Sequence, residues 1–403
     1  MASAVEAVHR YRRPDPACWD VVVEAVCSEA PSYDADHALV QAGRAATRHA
    51  DRIADDLRRQ QGVFGTAVGH GVKVRALALA GMGDLRALPA LHNLGEHGGL
   101  PTQRPQARIL AELPAAGLVP TMRATLLKGS YRAEATLEVL SAWGPDAAPA
   151  VPEVTGFLDT PYAYDALRVL GRIGPAAAGT ANRLTGFATG RDPRAGRHHL
   201  RLAAWAHWRV TGDPALALDV CGAAVRSGTA GHGLPFLADL GPSAAAHADT
   251  VRGLMESPGA WTRVAAAHAY WRITGDPEPA VPVLLAEVDP AWAGHPAMPV
   301  QEAVRRLGEI GAPAAAAAPL LGRILAREER LGHPFERIRI LADAAYVRTL
   351  SEALRRIAPG AGGSVPAPSK EPVPLPPPAP RRFLPFRRPF WHSQVPWNAT
   401  GLR

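Results

Sequence analysis

Cysteine and lysine are scarce in this chain. The three cysteines, Cys18, Cys27 and Cys221, are odd in number and match no zinc-ligand spacing, so neither a disulfide framework nor a structural zinc site is expected. Only three of the 44 basic residues are lysines (Lys73, Lys128, Lys370), a bias that reflects coding composition rather than phosphate recognition. Aromatics supply 6% of the residues, which leaves alanine and leucine to build the core. No uninterrupted apolar run approaches the ~20 residues of a membrane span, and the first residues lack the apolar centre of an export signal. Asn398-Ala399-Thr400 is therefore read as a chance sequon. A His-Glu-x-x-His motif, a phosphate loop and a Gly-x-Ser-x-Gly elbow are all missing. A cytoplasmic protein without a cofactor or metal is expected.

The net charge of +7 is unevenly placed. Residues 361–403 carry Lys370, Arg381, Arg382, Arg387, Arg388 and Arg403 against Glu371, a net of +5, which leaves +2 for residues 1–360. A body so nearly balanced lacks the broad positive field of a duplex-binding surface.

What the chain does have is periodicity. A leucine or tryptophan stands four residues before a glycine at Leu39/Gly43, Leu79/Gly83, Leu113/Gly117, Leu140/Gly144, Leu170/Gly174, Trp208/Gly212, Leu237/Gly241, Trp271/Gly275 and Leu307/Gly311. The glycines recur at 27 to 40 residues, the period of stacked helical units. Thr211-Gly212-Asp213-Pro214 and Thr274-Gly275-Asp276-Pro277 carry the punctuation of a helical hairpin. Glycine ends the first helix in a left-handed conformation, aspartate caps the second, and proline occupies its start. Leu167, Leu170 and Ile173 before one break, with Ala177, Ala181 and Leu184 after it, keep helical spacing. Ala147, Ala177, Ala215, Ala244 and Ala314 are the small residues expected to let paired helices approach.

These segments, with Leu170-Gly171-Arg172-Ile173-Gly174-Pro175 and Leu307-Gly308-Glu309-Ile310-Gly311-Ala312-Pro313, resemble HEAT repeats in the short bacterial form related to those of phycobilin lyases. The resemblance spans roughly residues 16–360 and departs from the family in its irregular spacing and in Pro114. It implies an all-α fold, a right-handed α-solenoid of about nine to ten helical hairpins of HEAT/armadillo-like type. An elongated body with a curved groove lined by the second helices should follow. Residues 1–15 are read as an N-terminal extension. Residues 354–359 look like one more first helix, 361–380 form a Pro/Gly-rich linker, and 381–403 a basic-aromatic tail. The tail folds back over the open edge of the last unit, or it is a frame-shifted gene end.

Two candidate sites follow. The segment 190–201 carries Arg191, Arg194, Arg197, His198, His199 and Arg201, fit to grip an anion or an acidic partner from a protruding loop. The tail offers Arg381, Arg382, Arg387, Arg388 and Trp391, contacts for a protein, an anionic surface or nucleic acid. Trp208 and Trp271, standing in the place leucine holds elsewhere, are expected in the core rather than in a stacking ladder. The segment from His92 to His97 reads as a helix end rather than a metal site, and Gly69-His70-Gly71 as a loop. The expected function is a non-enzymatic protein- or peptide-binding scaffold. The alternatives are a nucleic-acid-binding HEAT-like protein of the DNA glycosylase-like class, and a lyase or maturation factor by fold analogy alone.

Overall fold

The computed structural model describes residues 1–28, 32–64, 69–129, 132–227, 233–332 and 338–359. They form an all-α protein, with no strand among them. The tail residues Arg381, Arg382, Arg387, Arg388 and Trp391 lie outside them, as does the linker.

Two helices, α1 (Ala2–Arg10) and α2 (Pro16–Val26), precede a run of pairs. The pairs are α3 (Tyr33–Ala42) with α4 (Ala50–Phe64) and α5 (His70–Met82) with α6 (Leu88–Glu96). Next come α7 (Arg104–Ala107), prolonged by a tight turn Arg108–Glu112, with α8 (Ala115–Leu127), and α9 (Ala133–Trp143) with α10 (Val151–Gly156). Then follow α11 (Ala163–Ile173) with α12 (Ala181–Ala188) and α13 (Arg197–Thr211) with α14 (Ala215–Arg226). The last pairs are α15 (Leu234–Leu240) with α16 (Ala248–Gly253), α17 (Ala260–Thr274) with α18 (Ala280–Ala286), and α19 (Val300–Ile310) with α20 (Ala318–Leu325). A single helix, α21 (Arg339–Ile357), comes last; residues 354–359, read as one more first helix, supply its final turn and the residues just after it.

The breaks explain the pairs. Eight of the nine repeat glycines have positive φ, and they fall into two kinds. Gly43, Gly144, Gly174, Gly241 and Gly311 combine φ of 51 to 77° with ψ near −130°, a region open essentially to glycine alone. Gly83, Gly212 and Gly275 are ordinary left-handed caps. After the two Thr-Gly-Asp-Pro breaks the aspartates hold the entering turn, one step earlier than expected: Asp213 accepts from Ala215 N, where α14 begins after Pro214, and Asp276 from Glu278 N, ahead of α18, both at 3.0 Å. Gly117 is the exception. It sits in the first turn of α8, because Leu113 is already extended and Pro114 starts the new helix.

A glycine of the first kind does more than turn the chain. A β-carbon on Gly43, Gly144, Gly174, Gly241 or Gly311 would stand 3.5 Å from the carbonyl oxygen of Gly81, Arg172, Arg209, Arg272 or Arg356 respectively. Each of those oxygens belongs to the last turn of the next first helix, so one contact repeats down the molecule. Helices α3 and α5 pack side by side, as do α9, α11 and α13, then α15 and α17, then α19 and α21. Among the second helices, α6 packs against α8 and α8 against α10. Ala147, Ala177, Ala244 and Ala314 are fully buried as expected; Ala215 is exposed, and Ala217 fills its place after the longer Asp-Pro turn.

Those equivalent carbonyls also correct the reading of the tryptophans. Arg172 lies two residues before its glycine, Arg209 and Arg272 three before theirs, so α13 and α17 run one residue further past the same point. One residue is about 100° of helix. Trp208 and Trp271 are thereby rotated to the margin of the core, half-buried and packed against it, with Arg209 and Arg272 5.7 and 5.9 Å from their rings. Trp205 and Tyr270 are the buried aromatics of these helices. Gly69-His70-Gly71 is no loop either: Gly69 precedes α5 and the other two begin it.

The first and last helices of the described residues meet, which departs from the elongated body expected. Arg12 N donates to Glu328 O and Arg330 N to Arg10 O, both at 2.8 Å. The Arg12 guanidinium reaches Asp343 at 2.9 Å and the Ile324 carbonyl at 2.9 Å, while Arg330 donates to Asp343 at 3.2 Å and to Val8 O at 3.0 Å. Ile340 N donates to Gln41 Oε1 at 3.2 Å, placing α21 against α3 as well as α19.

Candidate functional site

Because α21 packs on both α19 and α3, the first helices enclose a cavity of about 930 Å³. Its walls come from α3, the end of α5, the turn after α7, the end of α9, α19 and α21. Among the described residues no second helix lines it, contrary to the groove implied by the family resemblance. The position two residues before the break faces inward repeatedly, as Gln41, Gly81, Ala142 and Glu309 show. Arg172 holds that same place on α11.

The lining is strongly cationic. Arg12, Arg44, Arg108, Arg305, Arg330, Arg348 and Arg356 face it, against Glu112, Glu309, Asp343 and Glu352. Some of these charges are spent in pairs: Arg348 with Glu112 at 2.8 Å, and Arg305 with Glu302 and Glu309 at 2.6 and 3.1 Å. Among the described residues the one carboxylate that Arg108 approaches is Glu138, at 3.8 Å, and Glu138 is already held by Arg168 at 2.8 Å. Arg172 has no hydrogen-bonded carboxylate among the described residues. Burial lowers the pKa of both groups, and neighbouring cations add to the effect against partial relief from acids. Arg108 feels Arg168, Arg348 and Arg172; Arg172 feels Arg168, Arg209 and Arg305. Positive potential therefore accumulates in a half-enclosed space, where it attracts anions more strongly than on an open surface.

Beside this cavity, His268 of α17 is buried, with Nε2 3.1 Å from both Glu309 Oε2 and Arg306 Nη1. Burial, then Arg306, pushes its pKa down to about 4 despite Glu309. Burial opposes ionisation of Glu309, but His268 and Arg306 outweigh it and hold the carboxyl far below its usual range. The folded state thus refuses a proton at His268 that the unfolded chain accepts below pH 6.5. Stability is expected to fall as pH drops from 6.5 toward 4, by about 3 kcal/mol from this group. Chemical denaturation across that window should show a flatter profile for His268→Gln than for the native chain.

The segment 190–201 is arranged differently from the loop expected. Arg197, His198, His199 and Arg201 belong to the first turns of α13, and only Arg191 and Arg194 lie in the preceding turn. Arg194 stands 3.3 Å from Asp159 and 3.9 Å from Asp192. His199 is buried, accepts from Gly196 N at 2.9 Å, and packs its ring on those of Phe187, Tyr164 and His198. Burial, then His198, pushes its pKa down to about 4. Arg191, Arg197 and His198 are exposed. His92 lies in α6 and His97 ends it, as the helix-end reading anticipated.

Sequence reasoning missed the cavity arginines, of which only Arg356 stands at a register that the helix pairs share. Arg172, Arg209, Arg272 and Arg356 recur at one structural position, in Gly-Arg-Ile, Trp-Arg-Val, Trp-Arg-Ile and Arg-Arg-Ile. No helix of the described residues is long and apolar enough to cross a membrane. No protein-family model matches the chain, and no curated protein matches it, so the geometry alone carries the functional reading.

Proposed function

We propose that the helix pairs are HEAT-type repeats forming an α-solenoid closed on itself, and that the protein is a non-enzymatic scaffold. In this reading it holds an acidic segment of a protein partner in the central cavity. One observation carries the proposal: seven arginines and four acidic residues face a half-enclosed space to which α3 and α21, far apart in sequence, both contribute. A volume near 930 Å³ lies at the upper end of small-ligand pockets. It suits an extended peptide segment or a compact anion, and is too small for a folded domain.

Fluorescence anisotropy with a labelled peptide of six glutamates tests this on the full-length chain. Arg381, Arg382, Arg387 and Arg388 are replaced by glutamine, which lowers the net charge of residues 361–403 from +5 to +1. Binding is expected to survive that replacement and to weaken by about tenfold or more on adding Arg108→Glu and Arg172→Glu. Unchanged affinity in that charge-reversed variant, or preference for a duplex of about 20 base pairs over the peptide, would overturn the proposal.

A further inference from the structure

We infer that Arg108, Arg172, Arg305 and Arg348 form a subsite for a phosphoryl group carried by the segment that the cavity receives. The inference rests on the acidic-segment reading above and adds the chemistry of the group recognised.

Three of the four residues line one cavity although they come from distant parts of the chain. Arg108 follows α7, Arg305 lies on α19 and Arg348 on α21. The fourth, Arg172, stands on α11 at the register that faces inward in the other units, within electrostatic reach of Arg108 and Arg305.

Charge compensation separates the four into two pairs. Arg305 and Arg348 have carboxylates at 2.6 and 2.8 Å. Arg108 and Arg172 do not, and the acids nearest them are already engaged. Glu138 is held by Arg168 at 2.8 Å, and Asp239 accepts from Trp205 Nε1 at 3.0 Å. Two under-compensated guanidiniums match a phosphoryl group, which carries roughly −1.5 to −2 at neutral pH on three acceptor oxygens. A carboxylate brings one charge and two oxygens. It can satisfy one fork but cannot equally serve guanidiniums that approach from two different units.

The test uses the full-length chain with the four tail arginines neutralised as above. Its probes are the six-glutamate peptide, the same peptide with one central phosphoserine, and inorganic pyrophosphate alone. The phosphoserine peptide should bind about tenfold tighter than its parent. Arg172→Gln should remove that preference while changing the parent's affinity less than about threefold. If Arg172→Gln loses its native circular dichroism, Arg172→Lys serves instead; it keeps the charge without the fork and should retain only part of the preference.

Pyrophosphate that competes with the phosphoserine peptide, and binds as tightly alone, supports the subsite and identifies a free anion as its source. Equal affinity for the two peptides overturns the phosphoryl inference and leaves the acidic-segment reading intact. Failure of all three probes to bind overturns both.

Discussion

Replacing Asp343 by asparagine is expected to lower the unfolding free energy by about 3–5 kcal/mol, the cost of leaving buried charges without their counter-ion. The Asp343 side chain is wholly buried and collects three donors that arrive separately: Arg12, Arg330 and the backbone N–H of Leu331 at 3.1 Å. Both guanidiniums are more than nine-tenths buried, so water compensates poorly for the lost carboxylate. Asparagine keeps the shape and one acceptor oxygen but leaves two cations close together. The pair between Arg348 of α21 and Glu112 supplies the control, since Arg348 is 66% exposed. Arg348→Gln should cost no more than about 1 kcal/mol. Urea denaturation of both variants decides the matter. Equal, small losses would mean that the contact of Arg12 and Arg330 with Asp343 contributes little to stability.

That contact also marks the boundary of what could be read from residues alone. The all-helical class and most of the breaks were legible, because glycine, aspartate and proline act within a few residues of where they stand. Thr274-Gly275-Asp276-Pro277 states its own geometry. Gly117 was misplaced for a related reason: Pro114 had already broken the chain, and a glycine inside a helix leaves no mark distinguishing it from a cap. Asp343 and Arg12 are 331 residues apart and belong to no motif, so their union was not visible before the chain was folded. The cavity was hidden for the same reason. Arg172 sits in a segment quoted as helix punctuation, yet its chemical meaning comes from Arg108 and Arg305, which only the folded chain brings near. The cluster at 190–201 shows the opposite error. Its charges are adjacent in sequence, but the first turns of α13 turn His199 inward and leave Arg191 and Arg197 outside.

Trp205 carries the second large effect. Its side chain bridges three consecutive first helices: it projects from α13, lies across Gly171 of α11, and meets Phe236 of α15 at a ring separation of 5.8 Å. Its Nε1 donates to Asp239, also on α15, at 3.0 Å. Trp205→Ala is expected to cost about 3–5 kcal/mol, because a rigid stack cannot collapse around the void. Trp205→Phe keeps most of the packing. It also leaves Asp239 to water, since that residue is exposed, so its cost should be well under half as large. Gly171 provides the decisive comparison. A β-carbon there would come 2.2 Å from Trp205 Cζ3, so Gly171→Ala must push the indole aside. With Trp205→Leu in the background the obstruction is gone, and the same substitution should cost almost nothing. A double-mutant cycle on the two positions is therefore expected to show coupling of at least about 1 kcal/mol. Additive losses would mean that the ring does not rest on Gly171, and that α11 and α13 are held together elsewhere along their length.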